Sequence, residues 1–106
     1  MTADPECLYL TTTGRRSGQP REIELWFAAR AGRYYVVAEH RHDASWVQNL
    51  TVQSRVHVRV GEASFAARAR AIYESDEPDL AIAVQELFEQ KYGWGEGLVV
   101  ELTPEP

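Results

Sequence analysis

LYLTTTGRRSGQPREIELWFAARAGRYYVVAE, residues 8–39, decides the fold. It opens on LYLTTT (8–13), aliphatic, aromatic and β-branched residues halted by Gly14, which predicts a strand. GRRSGQP (14–20) packs two glycines and a proline into seven residues and predicts a loop. Residues 21–29 then alternate, with Ile23, Leu25 and Phe27 toward one side and Glu22, Glu24 and Trp26 toward the other, the period-2 signature of a half-buried strand. Ala31-Gly32 supplies a turn into RYYVVAE (33–39), so 21–29 and 33–39 are expected to form a hairpin.

Downstream, the polar HRHD (40–43) gives way to a segment that places Trp46, Val47 and Leu50 at helical spacing, predicting a short helix over 44–52. Val56, Val58 and Val60 alternate with His57 and Arg59 in the next strand, and Gly61-Glu62 fits a two-residue turn into a longer strand over about 63–74. Ser75-Asp76-Glu77-Pro78 reads as a helix start with capping side chains and a proline in the first turn. Leu80, Ala83, Val84, Leu87, Phe88 and Lys91 would share one helix face, and Gly93 would stop it. LVVEL (98–102) closes the chain as a last strand, with Pro104 and Pro106 preventing extension. Six strands joined mostly by tight turns predict a largely antiparallel sheet able to close on itself. The expected fold is a mainly β (α+β) small barrel carrying two helices, one domain over residues 1–106 with its core in 8–103.

The composition agrees with this architecture. At 106 residues the chain suffices for one compact domain, and 44% hydrophobic with 25% charged residues is a globular balance. No apolar run approaches the roughly 20 residues of a membrane-spanning helix, and MTADPEC lacks the basic start and apolar core of a secretory signal; the cytoplasm is the expected compartment. A lone Cys7 fits a reducing interior and excludes an internal disulfide.

Net charge is −5, which argues against nucleic acid as a partner, but its layout is uneven. Residues 14–70 hold ten arginines against five acids, whereas 71–106 hold nine acids and one lysine. Arg59, Arg68 and Arg70 fall on strands and are expected to line their wet face; Arg15, Arg16 and Arg21 fall in and beside the loop. Hydroxyls, glycines and three arginines between Thr11 and Arg21 suit an anion cradle, since arginine offers a planar fork of donors and loop glycines let backbone N–H groups approach a ligand. The same composition also suits a solvated hairpin loop, and composition alone leaves both open.

No nucleophile elbow, Walker loop or zinc-protease helix motif is present. His40 and His42 flank Arg41, but a cation between them and only Asp43 nearby do not make a ligand set, so no metal is expected. Without an acid–base pair or triad, an enzyme built on this chain would leave the bond chemistry to a cofactor.

LTTTGRRSGQPRE, then LWF, RYYVVAE, SWVQNL and VHVRVG, in this order and spacing, closely resemble the deazaflavin-dependent nitroreductase family, from about residue 8 to residue 103. The resemblance implies an FMN-binding-type split β-barrel using the 8-hydroxy-5-deazaflavin coenzyme F420, with FMN as the alternative cofactor. It implies hydride transfer to a small oxidised acceptor such as a quinone or nitroaromatic, and a homodimer. It assigns the cofactor's phosphate and acidic tail to Arg15, Arg16, Ser17, Gly18, Gln19 and Pro20, with Arg21 close by. Tyr9, Leu10, Thr11, Leu25, Trp26, Phe27, Ala28, Val36, Val37, Ala38, Glu39 and His40 would line the cofactor. Tyr92 and Trp94 would fall near the acceptor, and Tyr92 or His40 could supply a proton. Where many relatives carry a serine-lysine-glycine-glycine stretch, this chain has Glu39-His40-Arg41-His42-Asp43, which brings an acid to the ring region and leaves His40 or Arg41 as the basic residue there. A cofactor-binding or dimeric module without catalysis is the non-enzymatic alternative.

Overall fold

The computed structural model describes residues 7–106. Seven strands, β1 (Cys7–Thr13), β2 (Pro20–Trp26), β3 (Ala28–Arg30), β4 (Arg33–Ala38), β5 (Arg55–Val60), β6 (Ala63–Ile72) and β7 (Leu98–Pro104), form one sheet in the order β2-β1-β5-β6-β7-β4-β3. Every ladder is antiparallel. Two helices, α1 (Ser45–Val52) and α2 (Pro78–Tyr92), and a 3₁₀ turn at Arg41–Asp43 complete the fold.

β2 and β3 are the two edges of this sheet, yet only Phe27 separates them in sequence. The chain therefore leaves one edge and joins the other within a single residue, which is possible only if the sheet curls until its edges lie side by side. That curl makes the split barrel. The strand expected over 21–29 is thus two strands, which raises the count from six to seven. The expected hairpin survives only at Ala28–Arg30 against Arg33–Tyr35, because β2 pairs along its whole length with β1 instead.

Alternation along the strands sorts side chains into layers. Leu8, Leu10, Val36, Val56, Val58, Val100 and Leu102 fill the barrel with Phe27 and with Leu50 from α1. Tyr35, Val37, Ile72 and Val99 point the other way, against Ala81, Val84 and Phe88 of α2. β4 and the first part of β7 are buried on both faces, which is why YYVVA and LVV read as continuous rather than alternating apolar runs.

α2 differs in detail from its expected form. Its N-cap is Glu77, without a side-chain cap hydrogen bond, and Ser75 and Asp76 lie in the preceding turn; Pro78 occupies the first turn as expected. The buried stripe is Ala81, Val84 and Phe88, flanked by Leu80 and Leu87, and Lys91 lies outside it. Gly93 ends the helix in the left-handed region at φ 73°, where a side chain would be strained. The final strand continues to Pro104, which pairs opposite Ala67 at the strand's end, so Pro104 terminates the strand from within.

Candidate cofactor site

The β1–β2 loop is built around Gly14. Its N–H donates to the Gln19 carbonyl at 2.8 Å, and the Gly18 N–H donates to the Gly14 carbonyl at 2.8 Å. A Cβ on Gly14 would sit 2.6 Å from Ser17 Oγ and 3.2 Å from the Gln19 oxygen, so a side chain there would turn the Ser17 hydroxyl away and press on the turn. Ser17 Oγ also accepts from the Gln19 N–H at 3.2 Å.

Asn49 of α1 clamps this loop to the barrel. Its Oδ1 accepts from the Arg15 backbone N–H at 3.1 Å and from Arg15 Nη1 at 2.8 Å, while its Nδ2 donates to Thr12 Oγ1 at 3.1 Å. Asn49 and Thr12 are buried, and each finds a partner, as buried polar groups must. Arg15 Nη1 also donates to Ser45 Oγ at 3.1 Å. Arg15 is thereby fixed in direction.

Arg16 and Arg21 are exposed, and among the described residues neither makes an ion pair. Three of the strand arginines contrast with them. Arg59 faces Glu22, Arg68 faces Glu105, and Arg70 faces Glu77 and Glu101. The positive charge left uncompensated on this side belongs to the loop.

Two cavities meet beside that loop. A polar lobe of about 560 Å3 is lined by Gly14, Arg15, Arg16, Ser17, Arg21, Glu22, Ile23, Ser45 and Asn49. An apolar lobe of about 590 Å3 is lined by Glu24, Leu25, Trp26, Val37, Ala38, Glu39, Phe88 and Trp94. His40, Ala44 and Trp46 line both, so the lobes adjoin and together make up a two-part groove with His40 and Trp46 at the waist. Both volumes are of the size that holds small molecules and cofactors. Trp26 is 44% exposed and stacks flat on Tyr92, with ring centroids 4.5 Å apart and planes at 1°; Trp94 meets it edge-on.

Of the residues assigned from sequence, the groove gathers Arg15, Arg16, Ser17, Leu25, Trp26, Val37, Ala38, Glu39 and His40. Others lie elsewhere. Leu10, Phe27 and Val36 are inside the barrel, and Ala28 packs with the α2 layer. Thr11, Gly18 and Pro20 line a separate shallow cavity with Gln53, Arg55 and His57, and Gln19 is exposed at the tip of the turn. Tyr9 donates to Glu24 Oε2 at 2.8 Å beneath the Arg59 guanidinium, and so touches the groove through Glu24. Tyr92 bonds to the Phe27 backbone, behind the Trp26 ring. Trp46, Asn49, Ser45 and Glu24 were not assigned from sequence. The spacing W-x-x-N, which puts Trp46 and Asn49 on neighbouring positions of one helix face, and the shared strand face of Glu24 and Trp26 were the available signals.

Among the described residues no group of three or more His, Cys, Asp or Glu side chains is placed to hold a metal, and no helix is long and apolar enough to cross a membrane.

Comparison with known proteins bears on this groove. The family model for F420H(2)-dependent quinone reductases matches residues 2–93. An F420H(2)-dependent quinone reductase of Mycobacterium tuberculosis (strain H37Rv) is 34% identical over 80 residues, covering 73% of this chain and 53% of that protein, and a Mycobacterium bovis relative described as a putative F420H(2)-dependent quinone reductase matches equally. The chain thus spans about half the length of the curated relatives it matches. Among solved structures, an F420-H2 dependent reductase superposes with a TM-score of 0.67 at 25% identity, covering 96% of this chain and 97% of that one. The haem storage protein HutZ of Vibrio cholerae superposes at 0.79 with 19% identity, covering 96% and 83%, a likeness of fold alone. The matched span, nearly nine-tenths of the chain, leads to one conclusion: this chain belongs to the F420H(2)-dependent quinone reductase family.

Proposed function

We propose that the groove binds the deazaflavin coenzyme F420 and that the chain is a reductase passing hydride from the reduced coenzyme to a small oxidised acceptor such as a quinone or nitroaromatic. The observation that carries this is the union of the two lobes. One end offers arginines that make no ion pair among the described residues and a tight glycine turn; the other offers flat aromatic and aliphatic walls. A ligand that suits both ends is polyanionic at one side and a planar ring at the other. The family and the reductase relatives support the same ligand.

The donor set fits such a group. Arg16 and Arg21 would take the phosphate and acidic tail in charge-assisted hydrogen bonds, with Arg15 held by Asn49 as a third, oriented donor. Ser17 Oγ adds a neutral donor. Leu25, Val37 and Ala38 would press on the ring, and Trp26 and Trp46 would flank it. The coenzyme, when bound, supplies the hydride; the chain's part is to hold ring and acceptor at contact distance and keep water from between them. His40, at the waist of the groove, would give a proton to the reduced acceptor. We also propose that two chains pair, in the cytoplasm, across the side where Trp26 is exposed; one fold neighbour, 22% identical with a TM-score of 0.67, is described as a domain-swapped dimer.

Titrating purified protein with F420 and with FMN tests the proposal. F420 should bind more tightly, because FMN carries one phosphate and no acidic tail, and quinone-dependent reoxidation of the reduced coenzyme should follow. Equal or tighter binding of FMN would overturn the cofactor assignment. Tight F420 binding with no acceptor-dependent oxidation would leave a binding module.

A further inference from the structure

The charges of the groove are segregated. The polar lobe carries Arg15, Arg16 and Arg21, with its one carboxylate, Glu22, facing Arg59, whereas the apolar lobe has no arginine or lysine in its wall and two carboxylates, Glu24 and Glu39. Neither of these makes an ion pair among the described residues. Glu24 accepts from the Tyr9 hydroxyl at 2.8 Å, and the Arg59 guanidinium lies over the Tyr9 ring and faces Glu22. All three tryptophans of the chain, Trp26, Trp46 and Trp94, line the same lobe. Indole faces attract cations through their quadrupole, and a low-dielectric cleft strengthens the pull of the two carboxylates.

We infer that the apolar lobe, which would hold the acceptor against the coenzyme ring, selects that acceptor by charge, favouring a flat aromatic cation over a neutral or anionic ring of the same shape. This rests on the groove being the site of hydride transfer proposed above. Such an acceptor is chemically competent. In 10-methylacridinium, for instance, hydride from the reduced deazaflavin would form a new bond to hydrogen at ring carbon 9. The hydride, a proton with two electrons, would cancel the ring's positive charge and give neutral 10-methyl-9,10-dihydroacridine, leaving the coenzyme oxidised and its remaining proton passed to solvent. The carboxylates would hold the cation more strongly than the neutral product, which favours release. A quinone, which gains negative charge on accepting hydride, would receive no such help.

The test uses three rings of one shape: 10-methylacridinium, neutral acridine and acridine-9-carboxylate. Binding to the unliganded protein is read at about pH 8 by quenching of the three groove tryptophans. The cation should bind about 10-fold more tightly than the carboxylate, a ratio that shrinks as sodium chloride is raised. In the Glu24→Gln/Glu39→Gln double variant, whose altered side chains are exposed, the ratio should fall to about threefold or less while circular dichroism and melting stay those of the parent. With reduced coenzyme, the double variant should show a raised KM for 10-methylacridinium without a fall in kcat. Tighter binding of the carboxylate in the parent, or an unchanged ratio in the double variant, would overturn the inference. F420 affinity, measured separately on the parent, isolates the underlying reading: normal F420 binding without charge preference sinks the inference alone, and charge preference without F420 binding sinks the cofactor assignment and keeps the lobe's selectivity.

Discussion

Tyr92 Oη accepts from the Phe27 N–H at 3.0 Å and donates to the Phe27 carbonyl at 2.8 Å, so one hydroxyl satisfies both backbone groups of the only residue between the two sheet edges. Lys91 Nζ donates to the same carbonyl at 2.9 Å. Phe27 has no ladder partner of its own, and a buried backbone group without one would cost about 1–3 kcal/mol. The end of α2 therefore stabilises the split that gives the barrel its shape. It also backs the groove, because the Tyr92 ring supports Trp26.

Tyr92→Phe keeps the stacked ring and removes the hydroxyl. We expect a loss of about 1–2 kcal/mol, which for a domain of this size is a fall in Tm of roughly 4–16 °C. Tryptophan emission should barely move. Tyr92→Ala should cost more and shift the emission, because Trp26 loses its backing. A melting temperature unchanged in Tyr92→Phe would show that the hydroxyl contributes nothing at the strand break.

That break explains where the sequence misleads. Ile23, Leu25 and Phe27 alternate faultlessly with Glu22, Glu24 and Trp26, and the observed burial follows that alternation. Period-2 patterning reports which face a side chain takes, and it is blind to the ladder the backbone joins. The partner that lets Phe27 leave both ladders is 65 residues away. The glycine turn and its arginines were legible because loop chemistry is local. Asn49 was visible only as a letter in W-x-x-N-L, since its work is to join Thr12 and Arg15, 37 and 34 residues distant. Leu10, Val36 and Ala28 lie in the core and off the groove for a related reason: strands lining a site alternate into the core at every second residue, and a contiguous motif does not say which half faces outward.

Asn49→Ala should uncouple the loop from the barrel. Thr12 Oγ1 loses its donor, the Arg15 N–H loses its acceptor, and the guanidinium is free to turn. A loss of about 2–3 kcal/mol in stability is expected from the buried bonds. F420 affinity should fall as well, about 10-fold, since Arg15 must then be ordered on binding. Calorimetric titration beside thermal melting checks both. Lowered stability with undiminished affinity would mean that Arg15 takes no part in holding the ligand.

Arg16→Ala and Arg21→Ala probe the arginines without ion-pair partners. Each is exposed, so folding should change by less than about 0.5 kcal/mol. Each should weaken F420 binding by about 1.5–3 kcal/mol if it meets a phosphate or carboxylate, and the salt dependence of binding should flatten in step. Arg68→Ala, on a strand and turned toward Glu105, is the matched control and should leave affinity unchanged. If the loop variants bind as the control does, the polar lobe is not where the tail sits.

The buried acid of β7 contributes to the pH range of the fold. Burial alone would push the Glu101 carboxyl up, but the Tyr35 hydroxyl at 2.9 Å and the Arg70 and Arg33 guanidinia outweigh it and hold the group below the ordinary glutamate range. A depressed carboxyl contributes stability above its unfolded pKa of about 4.3 and loses it as pH falls through the lower folded value. Tyr35 is raised, first by burial and then by its bond to Glu101, so its contribution is complete below about pH 10 and disappears as pH rises through the folded value. Melting followed across this range should show both limbs. In Glu101→Gln the acid limb should flatten, with a loss near neutrality of about 1–3 kcal/mol, tempered because Arg33 and Arg70 are half exposed and partly screened. The alkaline limb should weaken too, since Tyr35 no longer faces a carboxylate. An acid limb equally steep in parent and variant would assign the low-pH transition to other carboxylates and leave Glu101 a structural hydrogen-bond acceptor only.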